Sequence, residues 1–284
     1  MVGECQLQRD TKKKFNGEWG IPNLKLGQVD FINCLPINLP IELGEVEVNA
    51  NIINAVPSKL NKMILNNEID IAPVSSVTYL ENKDKLMSIG ELCIASNGPA
   101  DSVLLFSRFP IEELNRAKVL LSEKSATSNI LLQIVFKEFL NLEATFEVNK
   151  NPQAQDSNYP AILLIGDDAL LAYSKRTKDI FIYDLGELWK KYTELPMVFG
   201  IWVARTSGNK EIEIVANKLR GAQEIGLGIS FDKVLDKAQE KIALTKDFYK
   251  KYFEHLSYDL TSEHKEGLEL FEKYAYKQLQ LQRI

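Results

Sequence analysis

A chain of 284 residues is long enough for two domains of ordinary size and an enzyme-sized core. Its 45% hydrophobic and 26% charged residues exclude a disordered, collagen-like or coiled-coil protein. A net charge of −5 leaves no basic surplus for phosphate backbones or anionic lipids, so neither nucleic acid nor a membrane surface is an expected partner.

Residues 1–24 are polar, carry Gly17, Gly20 and Pro22, and show no periodicity; they are expected to lie outside the main fold, with Lys12-Lys13-Lys14 solvated. No secretory pattern surrounds Cys5, and the longest apolar run, Met197 to Ala204, is far short of the ~20 residues that span a bilayer, so the expected location is cytoplasmic. Cys5, Cys34 and Cys93 are odd in number and lack a C-x-x-C, which fits reduced thiols rather than disulfides or a zinc cage.

From Lys25 onward, short apolar runs alternate with helical patterns. Gly27–Phe31, Ile69–Ala72, Val103–Phe106, Val119–Leu121, Ala161–Ile165 and Ile180–Tyr183 read as strands buried on both faces, the signature of mostly parallel sheets. Helices are expected over 57–66, 129–140 and 167–176, the second carrying Leu132, Val135, Phe136 and Phe139 at helical spacing. After Arg205 the strands are expected to stop. Three helical stretches follow, 209–226, 231–255 and 262–281, with Leu268, Phe271 and Ala275 as a core-facing stripe; the tail is expected to pack back on the first sheet. The class is therefore α/β. Two runs, Leu104–Arg108 and Met197–Arg205, read as crossings between lobes, which predicts lobe 1 from 25–107 and 202–284 and lobe 2 from 108–201.

A strand feeding directly into a helix presents unpaired N–H groups and a positive dipole end to carboxylates or phosphates. Ser122-Glu123-Lys124-Ser125-Ala126-Thr127-Ser128 is such a junction and Pro73-Val74-Ser75-Ser76 a second. Their hydroxyls serve either as helix caps or as ligand donors. Asn33, between a strand and a Pro-rich turn, offers an amide that donates and accepts, and Ser102 opens a strand after the Gly98-Pro99 turn. Asp167 and Asp168 follow Gly166 into a helix, so one is expected to be its N-cap and the other is free for a substrate hydroxyl. No G-x-S-x-G, P-loop or H-E-x-x-H is present, and Gly226-Leu227-Gly228 lacks a dinucleotide fingerprint. His255 and His264 lie in the tail, and Cys34 has no local histidine to activate it.

Five segments form one set in chain order: Gly27-Gln28-Val29-Asp30-Phe31-Ile32-Asn33-Cys34-Leu35-Pro36; Asp70-Ile71-Ala72-Pro73-Val74-Ser75-Ser76; Ser96-Asn97-Gly98-Pro99 with Ser102-Val103-Leu104-Leu105-Phe106-Ser107; Leu164-Ile165-Gly166-Asp167; and Tyr183-Asp184-Leu185-Gly186-Glu187 with Trp189. From about Lys25 to Arg205 this set resembles the chorismate dehydratases of the futalosine route to menaquinone. The resemblance implies a type 2 periplasmic-binding-protein-like fold, two α/β lobes around a central cleft with a helical C-terminal tail. It implies a hydro-lyase that converts chorismate to 3-[(1-carboxyvinyl)oxy]benzoate and water without metal or organic cofactor. Asn33 and Ser102 would orient the reacting groups; Ser75, Ser76, Ser125, Thr127, Ser128 and Asp167 would bind substrate. With no histidine near these motifs, the substrate's own enolpyruvyl carboxylate is the candidate base. The alternatives are 1,4-dihydroxy-6-naphthoate synthase, whose characteristic His-Glu pair is replaced here by Gly166-Asp167, and a non-catalytic carboxylate-binding protein of the same fold.

Overall fold

The structure is a computed structural model that describes residues 24–205 and 210–282. The expected N-terminal extension and Cys5 lie outside the described residues, except Leu24, which is buried. The chain enters through β1 (Lys25–Gln28), a single 3-10 turn (Ile32–Cys34) and α1 (Leu35–Glu42), then β2 (Asn51–Asn54), α2 (Pro57–Leu65), β3 (Ile71–Ser75), α3 (Ser76–Leu80) and β4 (Leu86–Ser96). Next come β5 (Val103–Ser107), β6 (Ala117–Ser122), α4 (Ala126–Ile134), β7 (Ala144–Asn149), β8 (Ala161–Ile165), α5 (Gly166–Ser174), β9 (Phe181–Asp184) and α6 (Leu185–Thr193). The return is β10 (Met197–Arg205), α7 (Lys210–Leu227), α8 (Phe231–Lys241), α9 (Lys246–His255), β11 (Leu256–Asp259) and α10 (Ser262–Gln282).

Among the described residues the strands form two sheets, ordered β11-β4-β10-β3-β1-β2 and β7-β6-β8-β5-β9. Both are mixed rather than mostly parallel. In the first, β1 pairs parallel with β2 and β3 while β10 and β11 run antiparallel to their neighbours; in the second, β5 is antiparallel to β8 and β9. Continuous apolar runs report burial on both faces, not strand direction, and that is why the direction was misread. The chain passes between sheets at 97–102 and returns at 194–196. It thus places β5 in the second sheet and β10 in the first, whereas the crossings were expected within 104–108 and 197–205.

Alternation along β5 and β8 divides their side chains between two cores. Val103, Leu105, Leu163 and Ile165 join the core shared with α4 and α6, and Leu104, Phe106, Ile162 and Leu164 join a smaller one with Ala169 of α5. The expected helix over 231–255 divides at 242–245, where Thr245 accepts the Phe248 N–H and starts α9 anew. A strand follows where none was expected: β11 buries Leu256 and Tyr258 and pairs with β4. The tail packs on the first sheet's core through α7, α8 and α9, and α1 lies against α7 so closely that a Cβ on Gly226 would fall 1.9 Å from the Pro36 carbonyl oxygen. The last helix departs from the expectation: Leu268 joins the first core, but Phe271 and Ala275 belong to the second. No helix among the described residues is long and apolar enough to cross a membrane.

Candidate active site

A cleft open to solvent lies between the two sheets. Its floor and walls are largely apolar: Phe31, Pro73, Ile94, Phe199 and Leu256 are among the residues that line it. Polar groups reach it from both lobes. Asn33, Ser75 and Ser102 come from one flank, and Ser125 and Ser128 from the α4 junction.

The two strand-to-helix junctions meet face to face. Ser75 caps α3, accepting the Thr78 N–H at 3.3 Å, and Asn61 receives the Ser75 N–H while donating to its hydroxyl, each at 3.2 Å. Ser125 caps α4, accepting the Ser128 N–H at 3.1 Å and donating its own proton to the Ser128 hydroxyl at 2.9 Å. The Ser128 proton is left for another acceptor. Ser76 and Thr127 turn away from the cleft. The Ser76 hydroxyl donates to the Val198 carbonyl at 2.6 Å, and the Thr127 hydroxyl accepts the Val77 N–H at 3.2 Å, stitching α4 to α3. Those two residues place the junctions; Ser75, Ser125 and Ser128 present them to the cleft.

Asn33 sits in the 3-10 turn with its backbone carbonyl accepting the Tyr258 hydroxyl at 2.8 Å, while its side-chain Oδ1 is buried and has no hydrogen-bond partner. Asn33 lines the cleft, so its amide is one of the polar groups a small rotation would bring to a ligand. Ser102 is more committed: its hydroxyl donates to the Ala100 carbonyl at 3.2 Å and accepts from Tyr252 at 3.0 Å. The Gly98–Asp101 loop before it is held by Asp184, whose carboxylate accepts the Ala100 and Asp101 N–H groups as well as those of Gly186 and Glu187 in α6. Burial pushes the Asp184 pKa up to about 6, and the Ala100, Glu187 and Asp101 N–H groups pull against it. Sequence reasoning quoted Asp184 without giving it this task, although Asp184-Leu185-Gly186-Glu187 has the spacing of a helix N-terminal box. Tyr252, Tyr258 and Leu256 were missed because the tail was expected to be helical throughout.

Neither acid of the α5 start caps it; the N-cap position is Ile165. Asp168 pairs with Lys124, and Asp167 accepts the Ile32 N–H at 2.8 Å and faces Lys241 at 3.3 Å. Asp167 is not among the residues lining the cleft. No Lys, Arg, His, Asp or Glu of the described residues lines it, and the one thiol there, Cys34, is pushed up to about 12, first by burial and then by Asp167, so it is neutral and a poor nucleophile. The site can therefore donate and accept hydrogen bonds and orient an anion. It supplies no ionised side chain of its own.

Two facing α/β lobes around such a cleft define a binding-protein fold. The periplasmic aliphatic sulphonate binding protein of Escherichia coli superposes with a TM-score of 0.62 at 12% identity, covering 92% of this chain and 88% of that one. The fold is thus the two-lobed, periplasmic-binding-protein-like α/β architecture that the sequence resemblance implied. A family model described as menaquinone biosynthesis matches residues 24–277, and the chain belongs to that family. Two relatives carry the name to which the motifs pointed. A chorismate dehydratase of Thermus thermophilus is 29% identical over 260 residues, 87% of this chain and 93% of that protein. One of Campylobacter jejuni is 30% identical over 178 residues, 61% and 64% of the two chains.

Proposed function

We propose that the protein is a chorismate dehydratase, a hydro-lyase that converts chorismate to 3-[(1-carboxyvinyl)oxy]benzoate and water in the futalosine route to menaquinone. The observation that carries this reading is the cleft itself: serine hydroxyls and the Asn33 amide line a space that holds no cationic side chain and no carboxylate or histidine among the described residues. Removal of the C3 proton and the C4 hydroxyl makes the substrate ring aromatic, so the reaction has a strong driving force and needs only an oriented base and stabilised charge. The ring carboxylate is vinylogous to C3 and gathers charge as the proton leaves. The Ser128 hydroxyl, whose proton is uncommitted, and the first turn of α4 would donate to it, with Ser125 orienting Ser128. With Cys34 protonated, the base is the substrate's enolpyruvyl carboxylate, held toward C3, with Asn33 and Ser102 orienting it or the departing hydroxyl.

Gly166 argues against the naphthoate synthase alternative. Its φ is +55°, and a Cβ there would lie 2.8 Å from the Phe31 ring, so a histidine at this position would have to displace the ring and strain the backbone. The test is incubation of the purified protein with chorismate, followed by ultraviolet absorbance and mass spectrometry. An aromatic product one water lighter than chorismate is expected, at a rate unchanged by chelator, since no histidine or carboxylate lines the cleft. Tight binding of chorismate without product would instead make it a carboxylate-binding protein.

A further inference from the structure

We infer that Asp167 is a positioning residue that, together with Lys241, clamps the second lobe onto the turn carrying Asn33; as a statement about turnover, this rests on the chorismate reading above. The segment from Val29 to Asn33 is held chiefly through its carbonyls. The Val29 carbonyl accepts from the Asn38 amide at 2.9 Å, and the Asp30 carbonyl and carboxylate both accept from Lys241 at 2.7 Å. The Phe31 carbonyl accepts the Cys34 N–H at 3.0 Å, and the Asn33 carbonyl takes the Tyr258 hydroxyl. These partners all come from the first lobe and its tail.

The remaining grip comes from across the cleft. Asp167, in the first turn of α5, accepts the Ile32 N–H at 2.8 Å with one oxygen and faces Lys241 at 3.3 Å with the other. One residue before it, Gly166 leaves room for the Phe31 ring to lie against the α5 start. Lys241 and Asp167 are 19% and 22% exposed, shielded enough for the pair to act over a short distance yet within reach of salt. The one side-chain acceptor of the segment with no partner is Asn33 Oδ1, buried at the cleft wall. A turn whose carbonyls and one N–H are held from both lobes keeps Asn33 at the cleft wall, pre-organised for a ligand there. Asp167 does this from the opposite lobe, so the same contact that sets Asn33 also ties the two lobes together beside the cleft.

The experiment compares wild-type protein with Asp167→Ala, Asp167→Asn, Lys241→Met and Lys241→Arg, each checked for folding by thermal melt. Small-angle scattering of the ligand-free proteins reads lobe closure without any turnover. Asp167→Ala is expected to show a larger radius of gyration than wild type. In chorismate turnover its kcat/KM should fall roughly a hundredfold, the scale of an ångström of misplacement. Asp167→Asn and Lys241→Met should fall by about tenfold, and Lys241→Arg should remain near wild type, a rescue that a purely structural role does not produce. Raising salt should increase KM more for wild type than for Asp167→Asn, which has no charge left to screen. Unchanged scattering of folded Asp167→Ala, or wild-type kcat and KM in folded Asp167→Asn and Lys241→Met, overturns the clamp. If wild-type protein does not turn chorismate over, the functional reading fails while the scattering still decides the clamp.

Discussion

At the scale of single residues, the two groups assigned to orient substrate differ in how the protein treats them. Asn33 Oδ1 has no partner to lose, so Asn33→Ala strands no buried group and should melt close to wild type while kcat falls roughly ten- to a thousandfold with a smaller change in KM. Ser102 stands between the Ala100 carbonyl and the hydroxyl of Tyr252, which is fully buried. Removing its Oγ leaves that hydroxyl without an acceptor, so Ser102→Ala should lose about 1–3 kcal/mol of stability in addition to any loss of rate. Tyr252→Phe in the same background should return part of that stability, because it removes the stranded donor. Urea unfolding of the two single variants and the double variant, beside single-turnover rates, measures both effects. A melt of Ser102→Ala indistinguishable from wild type would show that the Tyr252 hydroxyl is satisfied in some other way.

Among elements, legibility followed periodicity. The apolar runs of β5, β6 and β8 stand out because those strands are buried on both faces, and α7 and α10 because each buries one repeating stripe. β2 is a mostly exposed edge strand without that pattern and β11 is four residues inside a stretch of helical composition, so pairing with a neighbour makes them strands. β7 does alternate, Ala144-Thr145-Phe146-Glu147-Val148-Asn149, but as a mostly exposed edge strand it lacks the continuous apolar run that marked the others. The hydroxyls of the candidate site were found by their place at helix starts, but which of them face the cleft follows from helix geometry. Ser125 and Ser128 are three apart and share a face, whereas Ser76 and Thr127 are each a step of about 100° from a cleft-facing neighbour and turn to Val198 and Val77. The start of α10 carries a pH-sensitive device of the same local kind. His264 Nδ1 meets the Thr261 hydroxyl at 2.7 Å, but Nε2 is buried with no partner, and burial lowers its pKa from the ordinary 6.5 despite Glu263 and Asp259. A histidine lowered in the folded state takes up its proton later than the unfolded chain does, so its contribution to stability is complete above about pH 6.5 and is lost as pH falls through that lowered value. Acidification from pH 7 to 5.5 should therefore lower Tm more for wild type than for His264→Gln, whose amide can complete a Thr-x-x-Gln capping box with Thr261. Equal slopes for the two proteins would remove His264 from the pH response.

On the scale of the whole molecule, the cleft needs two lobes in a fixed relation, and α10 supplies a brace that the sequence did not reveal. Its stripe of Leu268, Phe271 and Ala275 was correctly seen as core-facing, but a stripe says nothing about how many cores it faces. Leu268 enters the first core; Phe271, fully buried, meets Trp189 of α6 edge-on with ring centroids 6.0 Å apart. Trp189 in turn donates its indole N–H to the Pro196 carbonyl, where the chain returns to the first sheet. Close packing of Gly267 reinforces the same point, since a Cβ there would stand 2.2 Å from the Pro196 carbonyl oxygen. Phe271→Ala should thus cost about 3–5 kcal/mol, the usual range for emptying a buried phenylalanine site. If α10 couples the lobes, that loss should not stay in the second lobe. Trp189 lies in the second core and Trp202 in the first, so the two report on different lobes. The chain's third tryptophan, Trp19, is first replaced by phenylalanine; with Trp189 and Trp202 then replaced in turn in that background, fluorescence melts of Phe271→Ala should show both reporters shifting downward together. A shift confined to the Trp189 signal, with Trp202 melting as in the parent protein, would mean that the lobes fold independently and that α10 merely rests against them.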